Sequence, residues 1–251
     1  MRSAIITGAS SGIGRSIALK MAESREFDCI AVNSGHDEQA LIRVAAEMKE
    51  IYNKAGSDSE LQVITVFGDI SEIITARAMV RKTVSVAKRV DVLINSAAIS
   101  HVGLLMDMTP EEWQKTVAVN LNSVYNTCHE VLPYMVREQS GRIVNISSVW
   151  GLVGASCEVA YSAAKGGVNA FTKALAKEMA PSHISVNALA FGMVDTRMNG
   201  HLSEEEKAEI YEAIPAGRAA SPDEAADAVL KLLAMPEYLT GEVIKCDGGW
   251  I

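Results

Sequence analysis

Seven short apolar runs, rich in β-branched residues, recur along the chain: SAIIT (3–7), CIAV (29–32), LQVITVF (61–67), VDVLIN (90–95), GRIVNIS (141–147), HISVNAL (183–189) and GEVIKC (241–246). Their apolarity is continuous rather than alternating, which marks strands buried on both faces, as in a parallel sheet. The intervening stretches carry helical periodicity over roughly 12–24, 37–55, 71–88, 110–138, 158–180 and 222–234. Strand–helix alternation of this kind predicts right-handed βαβ units. The expected fold class is α/β: a doubly wound parallel sheet of about seven strands with helices on both faces.

No linker rich in Gly, Ser or Pro, no fixed-period repeat and no low-complexity tract divides the 251 residues, so a single domain over 1–251 is expected. The segment 192–220 interrupts the alternation near the end of a late strand and reads as a substrate loop. Helix starts are signalled at Asp69 or Ser71, at Thr109 ahead of Pro110, and at Ser221 ahead of Pro222. Pro133 should kink the fourth helical stretch or mark its last turns.

A formal charge of −8 with no Lys/Arg run argues against nucleic acid or anionic membrane as a partner. No apolar run reaches the roughly 18 to 20 residues of a membrane span. Four scattered cysteines without a CxxC pair, and no signal-peptide pattern ahead of the first strand, point to a cytoplasmic setting. His101 and His129 lack a second ligand at metal spacing, so no metal site is expected.

TGASSGIG (7–14) follows the first strand and opens the first helix. Its glycines permit a tight turn and close approach to the backbone, and free N–H groups at the helix start attract phosphate. Asp69 and Asn95 end neighbouring strands, where an open α/β sheet binds its ligand. YSAAK (161–165) places Tyr161 and Lys165 at i and i+4 on a helix, with Cβ atoms roughly 5–6 Å apart. An ammonium there would favour the phenolate and bring the phenol toward a useful acid–base range. Two glycines, Gly166 and Gly167, weaken that helix, which suggests that something approaches it closely.

Together these residues resemble the short-chain dehydrogenase/reductase family over essentially the whole chain. The matching motifs run in order: TGASSGIG, Asp69-Ile70, NSAA (95–98), Asn120, NISS (145–148), YSAAK, NALAFGMVDT (187–196) and GEVIKCDGG (241–249). The resemblance implies a Rossmann-type fold and a nicotinamide-dependent enzyme interconverting a ketone and a secondary alcohol. Tyr161 would be its acid/base, Lys165 would lower the phenol and hold ribose hydroxyls, and Ser148 rather than Ser147 would bond the developing oxyanion. Asn120, at a helix distortion, would complete a water-borne relay to Lys165.

The same resemblance implies that Gly8, Ser10, Ser11, Gly12, Ile13 and Gly14 hold the cofactor phosphates. Asp69 and Ile70 would contact adenine, Asn95 its ribose side, and Val194 and Thr196 the nicotinamide side. At the end of the second strand no Asp or Glu stands ready for a ribose 2′-OH. Asn33, Ser34 and His36 tolerate a 2′-phosphate, so NADP is favoured over NAD, with Arg15 the nearest cation.

The nearest likeness is to 3-oxoacyl-[acyl-carrier-protein] reductases, through NISSVWG, IPAGR and GEVIKCDGG. It implies an acyl-thioester substrate, fatty acid biosynthesis, a homotetramer packed through the two long helices, and a possible acyl carrier protein partner. Gln139 and Ser182 weaken the carrier reading, since both replace basic docking positions; Arg137 and Arg142 lie near enough to substitute. Ser96, Ala98 and Phe191 depart from the family's usual residues. Sugar or polyol oxidation remains an alternative, as does a catalytically silent nucleotide sensor on the same fold. Cys157 reads as a small filler, Trp150 equally as pocket wall or core, Met193 and Met198 as adaptable apolar surface, and 204–213 as a solvated face.

Overall fold

The computed structural model describes residues 1–54, 60–200 and 202–251; position 55, the end of the second expected helix, and His201 of the expected substrate loop lie outside the described residues. The chain forms one seven-stranded sheet, β1 (Ser3–Ile6), β2 (Cys29–Ser34), β3 (Gln62–Phe67), β4 (Val92–Asn95), β5 (Gly141–Ser148), β6 (Ile184–Phe191) and β7 (Val243–Cys246). The spatial order is β3-β2-β1-β4-β5-β6-β7, and every strand pair is parallel. The order reverses between β1 and β4, so a crevice opens at the carboxyl ends of those two strands.

Around the sheet lie α1 (Gly12–Ser24), α2 (Glu38–Lys54), α3 (Ile73–Ala87), α4 (Pro110–Val117), α5 (Ser123–Glu138), α6 (Trp150–Val153), α7 (Val159–Met179), α8 (Glu204–Ala213) and α9 (Pro222–Ala234). The pleat sends successive strand residues to opposite faces. Ala4 and Ile6 of β1 meet the side chains of α1, α2 and α9, whereas Ile5 meets α3, α5 and α7. That two-sided burial explains the uninterrupted apolarity of the central strands, whose residues in β1, β2, β4 and β6 are all buried. The edge strands β3 and β7 are partly exposed, having a neighbour on one side only.

Thr109 and Ser221 cap α4 and α9 through reciprocal capping boxes with Glu112 and Glu224, as expected. Neither Asp69 nor Ser71 caps α3. The carboxylate of Asp69 accepts from the Ser71 amide and hydroxyl in a local turn, and the helix starts later, after Glu72. The stretch expected as one helix over 110–138 is interrupted by a π-helical segment, Ala118–Asn122. Pro133 lies inside α5, near its end at Glu138. Among the described residues no helix is long and apolar enough to cross a membrane.

Candidate active site

A cleft of about 590 Å³ opens over the crevice between β1 and β4, within the range of small-molecule sites. The turn Gly8–Gly14 forms its floor at one end. Gly8 has φ +65°, and a Cβ there would lie 2.7 Å from the Ala97 Cα. A Cβ on Gly14 would sit 2.3 Å from the Gly8 carbonyl oxygen, so α1 can begin against this turn only with glycine at that position. The Thr7 hydroxyl accepts from the amides of Ser96 and Ala97, clamping β1 to the segment after β4. Ser11 stands at the N-cap of α1 in extended conformation and makes no side-chain cap bond. The first-turn amides of α1 therefore present donors and the positive end of a helix dipole to the cleft. This cradle fits the diphosphate of a dinucleotide.

Gly8, Ser10, Ser11, Gly12, Ile13, Gly14, Asn33, Ser34, Asp69, Ile70, Ser148, Tyr161, Lys165, Val194 and Thr196 all line the cleft. Two expected site residues do not. Asn95 is buried in the sheet, donating to Asn145 Oδ1 (2.9 Å) and accepting from Thr127 Oγ1 (2.6 Å); Ser96 and Ala97 take its place on the wall. Asn120, within the π-helical segment, is fully buried and donates to the carbonyls of Ile99 and Thr116, both at 2.8 Å, while accepting from the Ile99 amide. Its amide ties the helix to the segment after β4.

Of the residues expected near a 2′-phosphate, Asn33, Ser34 and His36 line the cleft. The Asn33 amide donates to the carbonyls of Val66 and Gly68, both at 3.0 Å, fastening β2 to β3. Arg15 is held by Glu47 at 2.6 Å. Ser34 and Ser10 share a hydroxyl bond of 3.0 Å, and His36 lines the cleft beside them. Asp69 forms an ion pair with Lys115. Burial works to raise the Asp69 carboxyl, but Lys115 and Ser71 outweigh it and hold it below the usual carboxylate range.

At the other end, the strand and helix geometry converges on a phenol. Ser148 ends β5 and lines the cleft with Tyr161 of α7, and its hydroxyl accepts from the Trp150 amide at 3.2 Å. Its neighbour Ser147 instead donates to Asn169 at 2.6 Å, which distinguishes the two adjacent serines. Lys165 Nζ lies 5.6 Å from the centre of the Tyr161 ring and donates to the Ile146 carbonyl at 2.8 Å. Both side chains are buried. Burial, with the charge of Glu158 added, pushes the phenol well above its usual value, against the opposing effect of the nearby Ser148 hydroxyl. Desolvation is the largest of these effects in this arrangement. The same burial pulls the Lys165 ammonium down to about 8.

The small residues around the pair serve packing within the chain. A Cβ on Gly151 would lie 2.6 Å from the Lys165 backbone, and one on Gly167 would lie 2.8 Å from Leu121. α6 and the π-helical segment thus press directly on α7, and those contacts fix where Tyr161 and Lys165 stand.

The segment 192–220 is closed at its base, where Val194 and Ala220 pair as a short parallel bridge. It contains α8, capped by a Ser203–Glu206 box, and Ile210 of that helix reaches the cleft, so 204–213 is more than a solvated face. Trp150 lines the cleft and meets Trp250 edge-on at 4.8 Å. Met193 and Met198 also line it, whereas Cys157 does not. Trp250, Ile210, Leu202, Ser100 and Glu158 were missed by motif reading, since none stands in a recognisable pattern. The position of Glu158, three residues before Tyr161, was the one available signal.

The parallel sheet carries a glycine turn at its switch point, and Ser148, Tyr161 and Lys165 line the same cleft. The chain belongs to the short chain dehydrogenase family, whose model matches residues 2–207. Over 250 residues it is 38% identical to a Bacillus subtilis protein described as the uncharacterized oxidoreductase YmfI, covering 99% of this chain and 98% of that protein. It is 38% identical over 249 residues to the 3-oxoacyl-[acyl-carrier-protein] reductase FabG of Chlamydia muridarum, covering 99% and 96%. The Staphylococcus aureus (strain Mu50) FabG is 37% identical over 249 residues, covering 99% and 97%. Family membership makes the chain an oxidoreductase acting on CH–OH groups with a nicotinamide cofactor.

Proposed function

We propose that the chain reduces the ketone of a 3-oxoacyl thioester to a secondary alcohol, with NADP as cofactor. The observation that carries the reading is the convergence of Ser148, Tyr161 and Lys165, whose Nζ lies 5.6 Å from the Tyr161 ring centre, in the cleft shared with the glycine turn. The named reductases at 37–38% identity support the choice of substrate. The absence of a carboxylate at the end of β2, where Asn33 and Ser34 stand, supports NADP over NAD.

When bound, the nicotinamide supplies the hydride. The turn at Gly8–Gly14 and the first-turn amides of α1 would hold its diphosphate, Ile70 and Asp69 would border the adenine, and Val194 and Thr196 would border the nicotinamide end. The chain's own residues handle the proton. Tyr161 would give its proton to the ketone oxygen as negative charge grows there, the Lys165 ammonium close by favouring the phenolate that the transfer leaves. Ser148 donates a hydrogen bond to the same oxygen. Lys165, one helical turn further on, offsets the phenolate that remains. Asn120 fixes the segment after β4 against the π-helical distortion, from which a water-borne relay to Lys165 would run.

The reading includes a cytoplasmic homotetramer, supported by apolar side chains exposed on the long-helix faces: Trp113 on α4, Tyr125 and Val136 on α5, and Val159 on α7. Docking of an acyl carrier protein is the weaker part. Gln139 bonds its own helix end, Arg137 contacts Glu138 and the Lys88 carbonyl, and Arg142 donates to the Met235 carbonyl. The test is a panel of acetoacetyl thioesters, diketones, sugars and steroid ketones, each assayed with NADPH and NADH. Turnover of the thioesters with NADPH is expected; activity confined to sugars would overturn the reading.

A further inference from the structure

Glu158 is a charged residue of the cleft that the proposed chemistry leaves unused. It sits immediately before α7, three residues ahead of Tyr161. Its Oε2 accepts from Ser100 Oγ at 2.8 Å, which ties it to the segment after β4, and both side chains line the cleft with Ser148 and Tyr161. Its charge reaches the phenol, where it adds to burial in keeping the proton on.

Among the described residues no cation is paired with it. Lys165 is committed to the Ile146 carbonyl, and His101, on the same segment as Ser100, faces Glu112 at 3.9 Å. Arg197 lines the cleft too, but it follows Thr196, which lies against Gly12 at the glycine-turn end. Glu158 therefore brings a carboxylate without a cationic partner to the ketone end of the cleft, which it shares with the Lys165 ammonium.

We propose that Glu158 is a specificity-determining residue that rejects carboxylate-bearing ketones, so that the carbonyl offered to Tyr161 belongs to an ester or thioester and not to a free 3-oxo acid. The inference rests on the reading that Tyr161 meets the substrate carbonyl. In a 3-oxo acid the carboxylate is separated from that carbonyl by one methylene, which places it within several ångströms of the phenol and in the field of Glu158. Two like charges about 6 Å apart, at an effective dielectric of about 20, repel strongly enough to cost on the order of tenfold to a hundredfold in transition-state binding. An ester of the same acid carries no charge and meets no such repulsion, and its oxygens can still accept from Ser148 and Tyr161.

The test compares kcat/KM for ethyl acetoacetate and for acetoacetate in the wild-type protein, E158Q and E158K, with whichever of NADPH or NADH supports turnover. Glutamine keeps an acceptor for Ser100, so a merely structural role would leave the ratio of the two constants in place. The proposal expects wild-type protein to favour the ester at least about tenfold, E158Q to shrink that ratio at least about tenfold, and E158K to shift it further toward the acid. A ratio unchanged in both variants while the ester is still reduced would overturn the role of Glu158 and leave the proposed function standing. Wild-type protein reducing neither ketone would overturn the function, and this selectivity with it.

Discussion

Replacing Lys165 by methionine removes an ammonium that the fold buries without a carboxylate partner. Its pKa is about 8 in the folded chain against an ordinary 10.5. That gap corresponds to about 3 kcal/mol at roughly 1.4 kcal/mol per pH unit, and it opposes folding wherever the group is charged in both states. The sign follows from proton counts. Below about pH 8 both states hold the proton, and the folded state bears the whole cost of burying the charge. Between about 8 and 10.5 the unfolded chain binds more protons, so stability rises with pH until the cost is gone. Methionine loses the bond to the Ile146 carbonyl, a charge-assisted contact worth about 1.5–3 kcal/mol, so K165M at neutral pH should be as stable as the wild type or up to about 2 kcal/mol more stable. The sharper observable is the pH dependence. Urea unfolding of both proteins at equal concentration, at about pH 7 and about pH 9.5, should show the wild type gaining about 2 kcal/mol relative to K165M. Tyr161 is present in both proteins and cancels. A stability difference that stays flat over this interval would refute the claim that Lys165 is held charged at a cost to the fold.

Two other substitutions probe the cleft. Gly14→Ala forces a Cβ to within 2.3 Å of the Gly8 carbonyl oxygen, and backbone must move to accept it. It should cost about 2–3 kcal/mol in thermal or urea unfolding and weaken NADPH binding measured by fluorescence; a fully stable variant with normal binding would contradict the packing described for the turn. Asn33→Ala leaves the Val66 and Gly68 carbonyls without their side-chain donor, which should cost about 1–3 kcal/mol while the NADPH-to-NADH preference changes little. A large change of preference with unchanged stability would restore Asn33 to the cofactor.

Much of the fold was legible because central strands of a parallel sheet are apolar on both faces, and that pattern survives in sequence without knowledge of the partners. β3 was read on the same pattern although as an edge strand it is only half covered. The ends of elements were harder. Asp69 looked like a helix cap, but its carboxylate has Ser71 and Lys115 to satisfy, and α3 begins beyond it. Tyr161, Lys165 and Ser148 were readable from spacing and resemblance together, and they do stand in one cleft. What spacing could not say is where a polar side chain turns. Asn33, Asn95 and Asn120 look alike as motif positions, yet each finds backbone or side-chain partners that hold the sheet and its loops together. Trp250 reaches the cleft through tertiary folding alone and belongs to no local pattern.

The most direct measurement for the central claim is turnover by Tyr161→Phe on an acetoacetyl thioester, followed by loss of NADPH fluorescence, with NADPH affinity measured on the same preparation. Removing the phenolic proton while keeping the ring should leave cofactor binding near its wild-type value and lower kcat by about a hundred- to ten-thousandfold, the usual contribution of a positioned acid. Turnover within a fewfold of the wild type would contradict the assignment of Tyr161 as the proton donor.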